Sequence, residues 1–383
     1  MNKKLAVYCE DQHTIMDITF CQQMSQYYKL YIFATQIKIN RFQEQGVVAH
    51  FVPYRQVNNT INPAFSKSGF PIIMKRMQQV FLFGRALFRA MKIKHTLENR
   101  EINNIVFTTT SSNSQLMGWL AILPVKSSYH TFIHLIHNWY KVKIKRYRRG
   151  RLFSFFRSLL LKKIRSCVVL ADYLKTELRN YTHIPVAVFP FVCCSVEKLN
   201  KREIMLKKVT IPTFVLPGIV QKKQKYYKPI VDIFAGIQNE YRLVFLGKVK
   251  DEEEILYAKQ KLGNRIISFS GYIDAEKYEE TLCSSHFIIR NTATAIPYGI
   301  YRMSAMDCES AAYCIPLIYT SKQKIGYFYG EEERCLNEMI RYCMSIVSTN
   351  TYYERYEKLK EHALQEMQKD PSREIFLNIE STS

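Results

Sequence analysis

The chain has 383 residues, 47% hydrophobic and 23% charged, which is enough for two domains with separate cores and excludes a disordered or fibrous protein. Its formal net charge is +22 and unevenly placed: residues 1–200 hold 29 Lys and Arg against 9 Asp and Glu, and residues 201–383 hold 26 against 24. The first half is therefore suited to face a polyanion, nucleic acid or an anionic bilayer, and the second is not.

The opening run from Met1 to Glu10 is too short in apolar length for a signal peptide, and no uninterrupted apolar stretch is long enough to predict a transmembrane helix. None of the ten cysteines forms a CxxC pair and most lie in apolar runs, so reduced, buried thiols of a cytoplasmic protein are expected.

In chain order, Leu5–Cys9 reads as a buried strand, about 13–27 as a helix, and Leu30–Ala34 and Val47–Val52 as strands. One or two helices follow over 70–98, then a strand at Asn104–Thr108, a short helix over 113–122 and a strand at Thr131–Ile136. A basic helix, a strand at Cys167–Leu170, a helix near 172–180 and a strand at Val186–Phe189 complete the half. Polar residues 192–210 read as a linker. The rhythm restarts with strands at Thr213–Leu216, Leu243–Leu246, Ile266–Phe269, Phe287–Ile289 and Pro316–Tyr319, with helices between them. Residues 329–369 read as helical. Short apolar strands spaced by helices predict α/β architecture with parallel sheets covered on both faces. The expected division is an acceptor-binding domain over 1–195, a donor-binding domain over 210–345, and a C-terminal helix and tail over 346–383 that packs back toward the first domain. Ligands of such sheets bind at the carboxyl ends of the strands, which predicts a central cleft.

The second half carries the most specific pattern. It runs from Leu216-Pro-Gly218 through a basic loop containing Lys222, Lys223, Lys225 and Lys228, to Leu246-Gly247, then Gly271-Tyr272-Ile273. It continues with Tyr298-Gly299, Arg302 and Ser304, and ends on Glu309 followed seven residues later by Pro316. In order and spacing this series resembles the donor domain of GT-B glycosyltransferases, particularly glycosyltransferase family four. The resemblance covers about 210–320 and extends to the first half only in rhythm and in one His-Asn pair. It implies two Rossmann-like doubly wound domains facing a central cleft, and a nucleotide-sugar donor, UDP- or GDP-linked.

Each position also has a physical reading. A dianionic diphosphate wants cations and backbone N–H groups. The resemblance, with the spacing from Gly218, assigns Lys225 to that role. Gly299 and Ser304 precede a helix whose N–H groups are expected to cradle the phosphates, with Arg302 adding charge. Glu309 is a carboxylate inside an otherwise apolar helix and needs a hydrogen-bonding partner. The resemblance makes that partner the ribose diol. The resemblance also sets Tyr272 and Ile273 beside the nucleobase. Eight residues before Glu309, where the family has a first Glu, this chain has Tyr301, which leaves donor sugar and stereochemistry open, although the resemblance implies retention. In the first half His137, followed by Asn138, falls at the expected carboxyl end of its strand. Alternation sets His134 and Ile136 on one face and Leu135 and His137 on the other. His137 is expected to contact the transferred sugar or the acceptor hydroxyl, and Asp11 or His13, after the first strand, to orient the acceptor. No metal motif is present, and no cofactor or divalent ion is expected.

Residues 141–165 contain eleven basic and no acidic residues, among them Lys145, Arg146, Arg148, Arg149, Arg151 and Arg157. A second basic, aromatic stretch over 75–94 contains Arg85 and Arg89. Such amphipathic stretches suit the headgroup region of an anionic bilayer. The expectation is a peripheral protein at the inner face of the cell membrane, using a lipid-linked saccharide acceptor, such as an undecaprenyl-diphosphate glycan, in surface polysaccharide or capsule assembly. Nucleic acid is not an expected partner. The alternatives are a nucleic-acid-binding protein, which leaves the ordered motifs unexplained, a nucleotide-sugar epimerase of the same fold, and a non-catalytic partner of another transferase.

Overall fold

The computed structural model describes residues 3–10, 14–54, 72–108, 114–140, 158–189, 195–221, 227–269, 271, 273–290, 304–319, 336–349, 351–367 and 370–382. The chain divides into two compact units, one of Met1–Pro190 with Pro371–Ser383, the other of Phe191–Asp370.

The first unit contains β1 (Lys4–Tyr8), α1 (Thr14–Met24), β2 (Lys29–Ala34), α2 (Gln36–Glu44), β3 (His50–Pro53), α3 (Ile72–Asn99), β4 (Asn104–Phe107) and α4 (Ser114–Ile122). It continues with β5 (Ser128–Phe132), the short α5 (Ile136–Trp139), β6 (Ile164–Val169), α6 (Asp172–Leu178) and β7 (Val186–Val188). Its seven strands pair in the order β3-β2-β1-β4-β5-β6-β7, every pairing parallel. Runs such as Leu5–Val7 are fully buried, because helices cover both faces of a parallel sheet.

The second unit contains α7 (Val196–Leu206), β8 (Thr213–Pro217), α8 (Lys228–Ala235), β9 (Arg242–Leu246), α9 (Glu252–Leu262), β10 (Ile266–Ser268), α10 (Ala275–Cys283) and β11 (Phe287–Arg290). Then come α11 (Ala305–Tyr313), β12 (Leu317–Tyr319), α12 (Leu336–Ser348) and α13 (Thr351–Met367). Its five parallel strands run β10-β9-β8-β11-β12.

Three expectations need correction. The stretch 192–210 is not a plain linker: α7 occupies most of it, started by Ser195, whose Oγ accepts from the Lys198 N–H at 3.2 Å. The helix buries Leu199, Arg202 and Leu206. Arg202 disguised this face, since an Arg reads as surface in a sequence. Its guanidinium instead donates to the carbonyls of Leu282, Cys283 and Ser285 at 2.8–3.2 Å and to the Tyr352 hydroxyl at 2.7 Å. Those carbonyls surround the end of α10, where helix carbonyls lack intrahelical partners, although that of Leu282 also accepts from the Ser285 N–H at 3.0 Å. Second, the strand expected at 131–136 lies earlier, at Ser128–Phe132, with a register shift at Tyr129/His130. The alternation assumed for His134 and His137 therefore does not apply. Third, the strand expected at Val47–Val52 starts only at His50, and Val48 is exposed.

The segment 346–383 is shared between the units. Helix α13 stays with the second, whereas α14 (Pro371–Ser381) lies on β6, β7 and α1 of the first. It buries Ile375 and Ile379, stacks Phe376 on Tyr27 at 4.7 Å, and pairs Glu380 with Lys3 and with the Tyr28 hydroxyl.

His286, just before β11, is buried, and its Nδ1 accepts from the Thr213 N–H at 3.1 Å. Burial, with Arg202 nearby, lowers its pKa from 6.5 to about 3. Between those values the unfolded chain binds a proton that the folded one refuses, so this contribution to stability is present near neutrality and is lost as pH falls. The stability difference between the wild type and His286→Asn, read by urea unfolding, is expected to narrow from about pH 7 to about pH 4. A difference independent of pH would show that the imidazole is not held neutral.

Candidate functional site

In the second unit the strand order reverses between β8 and β11, and open α/β sheets bind ligands at that point, at the carboxyl ends of the strands. Gly218 ends β8 with φ +90°, a conformation that glycine alone enters freely, and its N–H donates to the Leu246 carbonyl at 2.8 Å. On the neighbouring strand end, a Cβ at Gly247 would stand 2.2 Å from the Gly218 carbonyl oxygen. Two backbones thus touch where the strands meet the site, and only hydrogen fits between them. Lys225, Tyr272, Gly299 and Arg302 lie outside the described residues.

Ser304 is the N-cap of α11. Its Oγ accepts from the Met306 N–H at 3.3 Å, while its own N–H donates to Asp307 at 3.2 Å. Part of the first turn is thus satisfied by the helix's own capping box. Asp307 is buried, with its pKa raised to about 6 by burial against the opposing pull of Arg290. Arg290, equally buried, is the last residue of β11 and lies 3.4 Å from the Asp307 carboxylate. The sequence reading missed both. The available signal was a charge closing the apolar strand Phe287-Ile-Ile-Arg290 at its carboxyl end.

Glu309, on the second turn of α11, is half-buried, and its Oε1 accepts from the Tyr278 hydroxyl of α10 at 2.6 Å. Burial and the Glu309 charge raise the Tyr278 pKa far above its ordinary value. One turn further along α11, the Tyr313 hydroxyl donates to Glu279 at 3.1 Å, and Glu279 pairs with Lys201 of α7. Ile273 and Tyr278 both pack on the cluster of Val215, Ile288 and Met306, so the structure gathers Ile273, Glu309 and the start of α11 about the β8–β11 crevice.

In the first unit the corresponding reversal lies between β1 and β4. A buried polar cluster stands there that the sequence reading missed. Lys38 of α2 pairs with Asp17 of α1 and donates to the Glu10 carbonyl. Asp17 also bonds Thr108, and burial raises its pKa to about 6 in spite of Lys38. His134 Nε2 lies 2.7 Å from the Thr108 carbonyl, and burial lowers the pKa of this imidazole. Asp11, His13 and the side chain of His137 lie outside the described residues; the His137 backbone belongs to α5.

Two arginines one turn apart on helix α3 have different surroundings. Arg89, expected to face a membrane, turns inward: its guanidinium lies 4.4 Å over the Tyr54 ring and donates to the Tyr8 hydroxyl at 3.2 Å. Tyr54 in turn donates to the Cys9 carbonyl, and its ring stacks on Tyr8, so these aromatic rings hold Arg89 at the end of β1. Arg85 is exposed, 4.7 Å over the ring of Phe81. Phe81, Phe88 and Met91 are more than half exposed on the same helix. Lys145, Arg146, Arg148, Arg149, Arg151 and Arg157 lie outside the described residues. At the end of that basic stretch Lys163 donates to the carbonyls of Leu120 and Leu123, closing α4 instead of facing a bilayer. Among the described residues no helix is long and apolar enough to cross a membrane.

No protein-family model matches the sequence, and no curated protein matches it. Solved structures do match in fold. A glycosyltransferase from Rickettsia africae ESF-5 superposes with a TM-score of 0.65 at 13% identity, covering 100% of both chains. HepE from Anabaena, in complex with UDP and glucose, gives 0.63 at 8% identity over 99% of this chain and 100% of its own. The apo lipopolysaccharide outer core galactosyltransferase WaaB gives 0.60 at 10% identity over 99% and 100%. The fold is therefore the two-domain GT-B type, with a Rossmann-like sheet in each unit.

The Gly218–Gly247 contact makes a direct prediction. Gly247→Ala forces the two strand ends apart and is expected to destabilise the protein by on the order of 2–3 kcal/mol, read from the urea midpoint. An unchanged midpoint would mean that the backbones part without cost.

Proposed function

We propose that this protein is a glycosyltransferase that takes a sugar from a UDP- or GDP-linked donor bound by the second unit. The observation that carries the reading is Glu309, a carboxylate fixed on α11 beside the β8–β11 reversal of a GT-B fold. A ribose diol offers two adjacent O–H donors, which match a carboxylate that only accepts. In this reading Gly218 lets the backbone turn at the end of β8, and Lys225 contacts the diphosphate. Arg302 and the start of α11 at Ser304 share the phosphate charge, Gly299 lets backbone approach, and Tyr272 and Ile273 flank the base. The bond from the sugar's anomeric carbon to the diphosphate oxygen breaks and one to the acceptor oxygen forms, with retention. The acceptor's proton leaves with the diphosphate. Lys and Arg charge and backbone dipoles stabilise the leaving diphosphate without a required divalent ion. His137 contacts the transferred sugar, and Asp11 and His13 orient the acceptor.

The acceptor in this reading is a lipid-linked saccharide at the cytoplasmic face of the membrane, used in surface polysaccharide or capsule synthesis. The supporting observations are the charge of residues 1–200 and the exposed stripe of Phe81, Arg85, Phe88 and Met91, one turn apart along α3. Aromatic rings beside cations are the composition of an interfacial helix. The basic residues Lys145, Arg146, Arg148, Arg149, Arg151 and Arg157 add to the positive charge of the same half of the sequence.

Two experiments test the reading. Saturating UDP or GDP is expected to raise the Tm of the wild type, by about 2.7 kcal/mol of stabilisation at a hundredfold excess over Kd, and Glu309→Ala or Lys225→Ala is expected to weaken binding at least about tenfold. No shift with any nucleoside diphosphate would sink the donor assignment. For the membrane, sedimentation with phosphatidylglycerol vesicles is expected to fall severalfold in Phe81→Ser/Phe88→Ser and in Arg85→Glu, and to weaken with salt. Equal binding by variants and wild type would remove the α3 stripe from the proposal.

A further inference from the structure

Glu309 does not stand alone. Its Oε1 is taken by the Tyr278 hydroxyl at 2.6 Å, across 31 residues of chain and from a different helix. The terminal torsion of a glutamate is broad and unrestrained by its own rotamer well. A short O–H bond to one ionised oxygen removes that freedom and fixes the plane of the carboxylate. An ionised carboxylate is acceptor-only. A diol with two adjacent donors needs such a group, since a carboxylate that must first stop rotating and keep its charge binds the pair more weakly.

We propose that Tyr278 is a positioning residue for nucleotide recognition, holding the Glu309 carboxylate in the orientation that distinguishes a ribose from a deoxyribose. This rests on the donor-site reading above. The surroundings of Tyr278 suit it to that role, because its ring packs on the cluster of Val215, Ile288 and Met306, which anchors the hydroxyl from behind. Burial keeps that hydroxyl protonated, so it is always the donor. The neighbouring Tyr313 bonds Glu279 and not Glu309, and so links the same two helices without touching the recognising carboxylate.

The test measures the affinity of UDP against 2′-deoxy-UDP, and of GDP against 2′-deoxy-GDP, by calorimetry. The ratio for the tighter pair is compared in wild type, Glu309→Gln, Tyr278→Phe and Tyr313→Phe. Phenylalanine at 278 keeps the packed ring and removes only the hydroxyl. The wild type is expected to prefer the ribonucleotide by on the order of tenfold, and Glu309→Gln to abolish the preference. Tyr278→Phe should lower the ratio severalfold while leaving the deoxynucleotide affinity unchanged, and Tyr313→Phe should leave the ratio intact. If Tyr278→Phe keeps the full ratio while Glu309→Gln loses it, the donor site stands and the role of Tyr278 is refuted. If Tyr313→Phe lowers the ratio as much as Tyr278→Phe, the effect is a general loosening of α10 against α11 and the proposal is equally refuted. If Glu309→Gln keeps the ratio, or the wild type shows none, the ribose assignment itself fails and Tyr278 with it.

Discussion

Each unit places a buried ion pair at the carboxyl edge of its sheet, close to the point where strand order reverses. In the first unit the pair is Asp17 with Lys38, and in the second it is Arg290 with Asp307. Buried pairs of this kind repay their desolvation poorly, and well-packed apolar residues of the same volume would often stabilise as much. Removing one partner is another matter, since it leaves a charge without compensation. The consequence is geometric: α1 is held to α2, and β11 to the start of α11, in one arrangement each. The helix that carries Glu309 begins from one of these fixed points. Both aspartates have pKa values raised to about 6, which is the signature of desolvation outweighing the attraction of the partner.

The strand–helix rhythm was legible because parallel strands covered on both faces must be short apolar runs, and nearly every such run became a strand. What failed was wherever a polar residue took an apolar residue's place. Arg202 hid the inner face of α7, and His130, buried between Asn104 and Ser166, lies inside β5 where the sequence offered no reason to start a strand early. Glu309 was legible for the opposite reason, as a carboxylate between Cys308 and the small residues Ser310, Ala311 and Ala312. Its partner Tyr278 was not, because a hydrogen bond between two helices leaves no periodic trace in either one. Lys38 and Asp17 were invisible in the same way.

The charge asymmetry has a sharper form in the structure than in the sequence. Counting residues treats Arg85 and Arg89 alike, yet these two arginines, one turn apart on α3, have different neighbours. Arg85 remains at the surface with Phe81, whereas Arg89 is committed to Tyr54 and Tyr8 at the end of β1. Lys163 closes a helix and Lys38 neutralises a buried aspartate. Part of the positive excess is therefore structural. The remainder that a bilayer would meet is smaller than the formal charge suggests, which gives the exposed rings of Phe81 and Phe88 a correspondingly larger share in any docking.

The first unit is also the one that the chain completes last. Helix α14 covers β6 and β7, and its Ile375, Phe376 and Ile379 supply apolar contact there. Lys3, at the very start of β1's approach, is paired with Glu380, near the end of the chain. A chain that has synthesised residues 1–190 has all seven strands of the sheet but leaves one part of its cover unmade. The missing cover arrives only after the whole second unit has left the ribosome. Contacts of such sequence separation form late, because the entropy of closing the loop is met before the contact rewards it. The two units are thus separable as cores but not as folding units: the second is complete within its own segment, while the first depends on residues that lie beyond it.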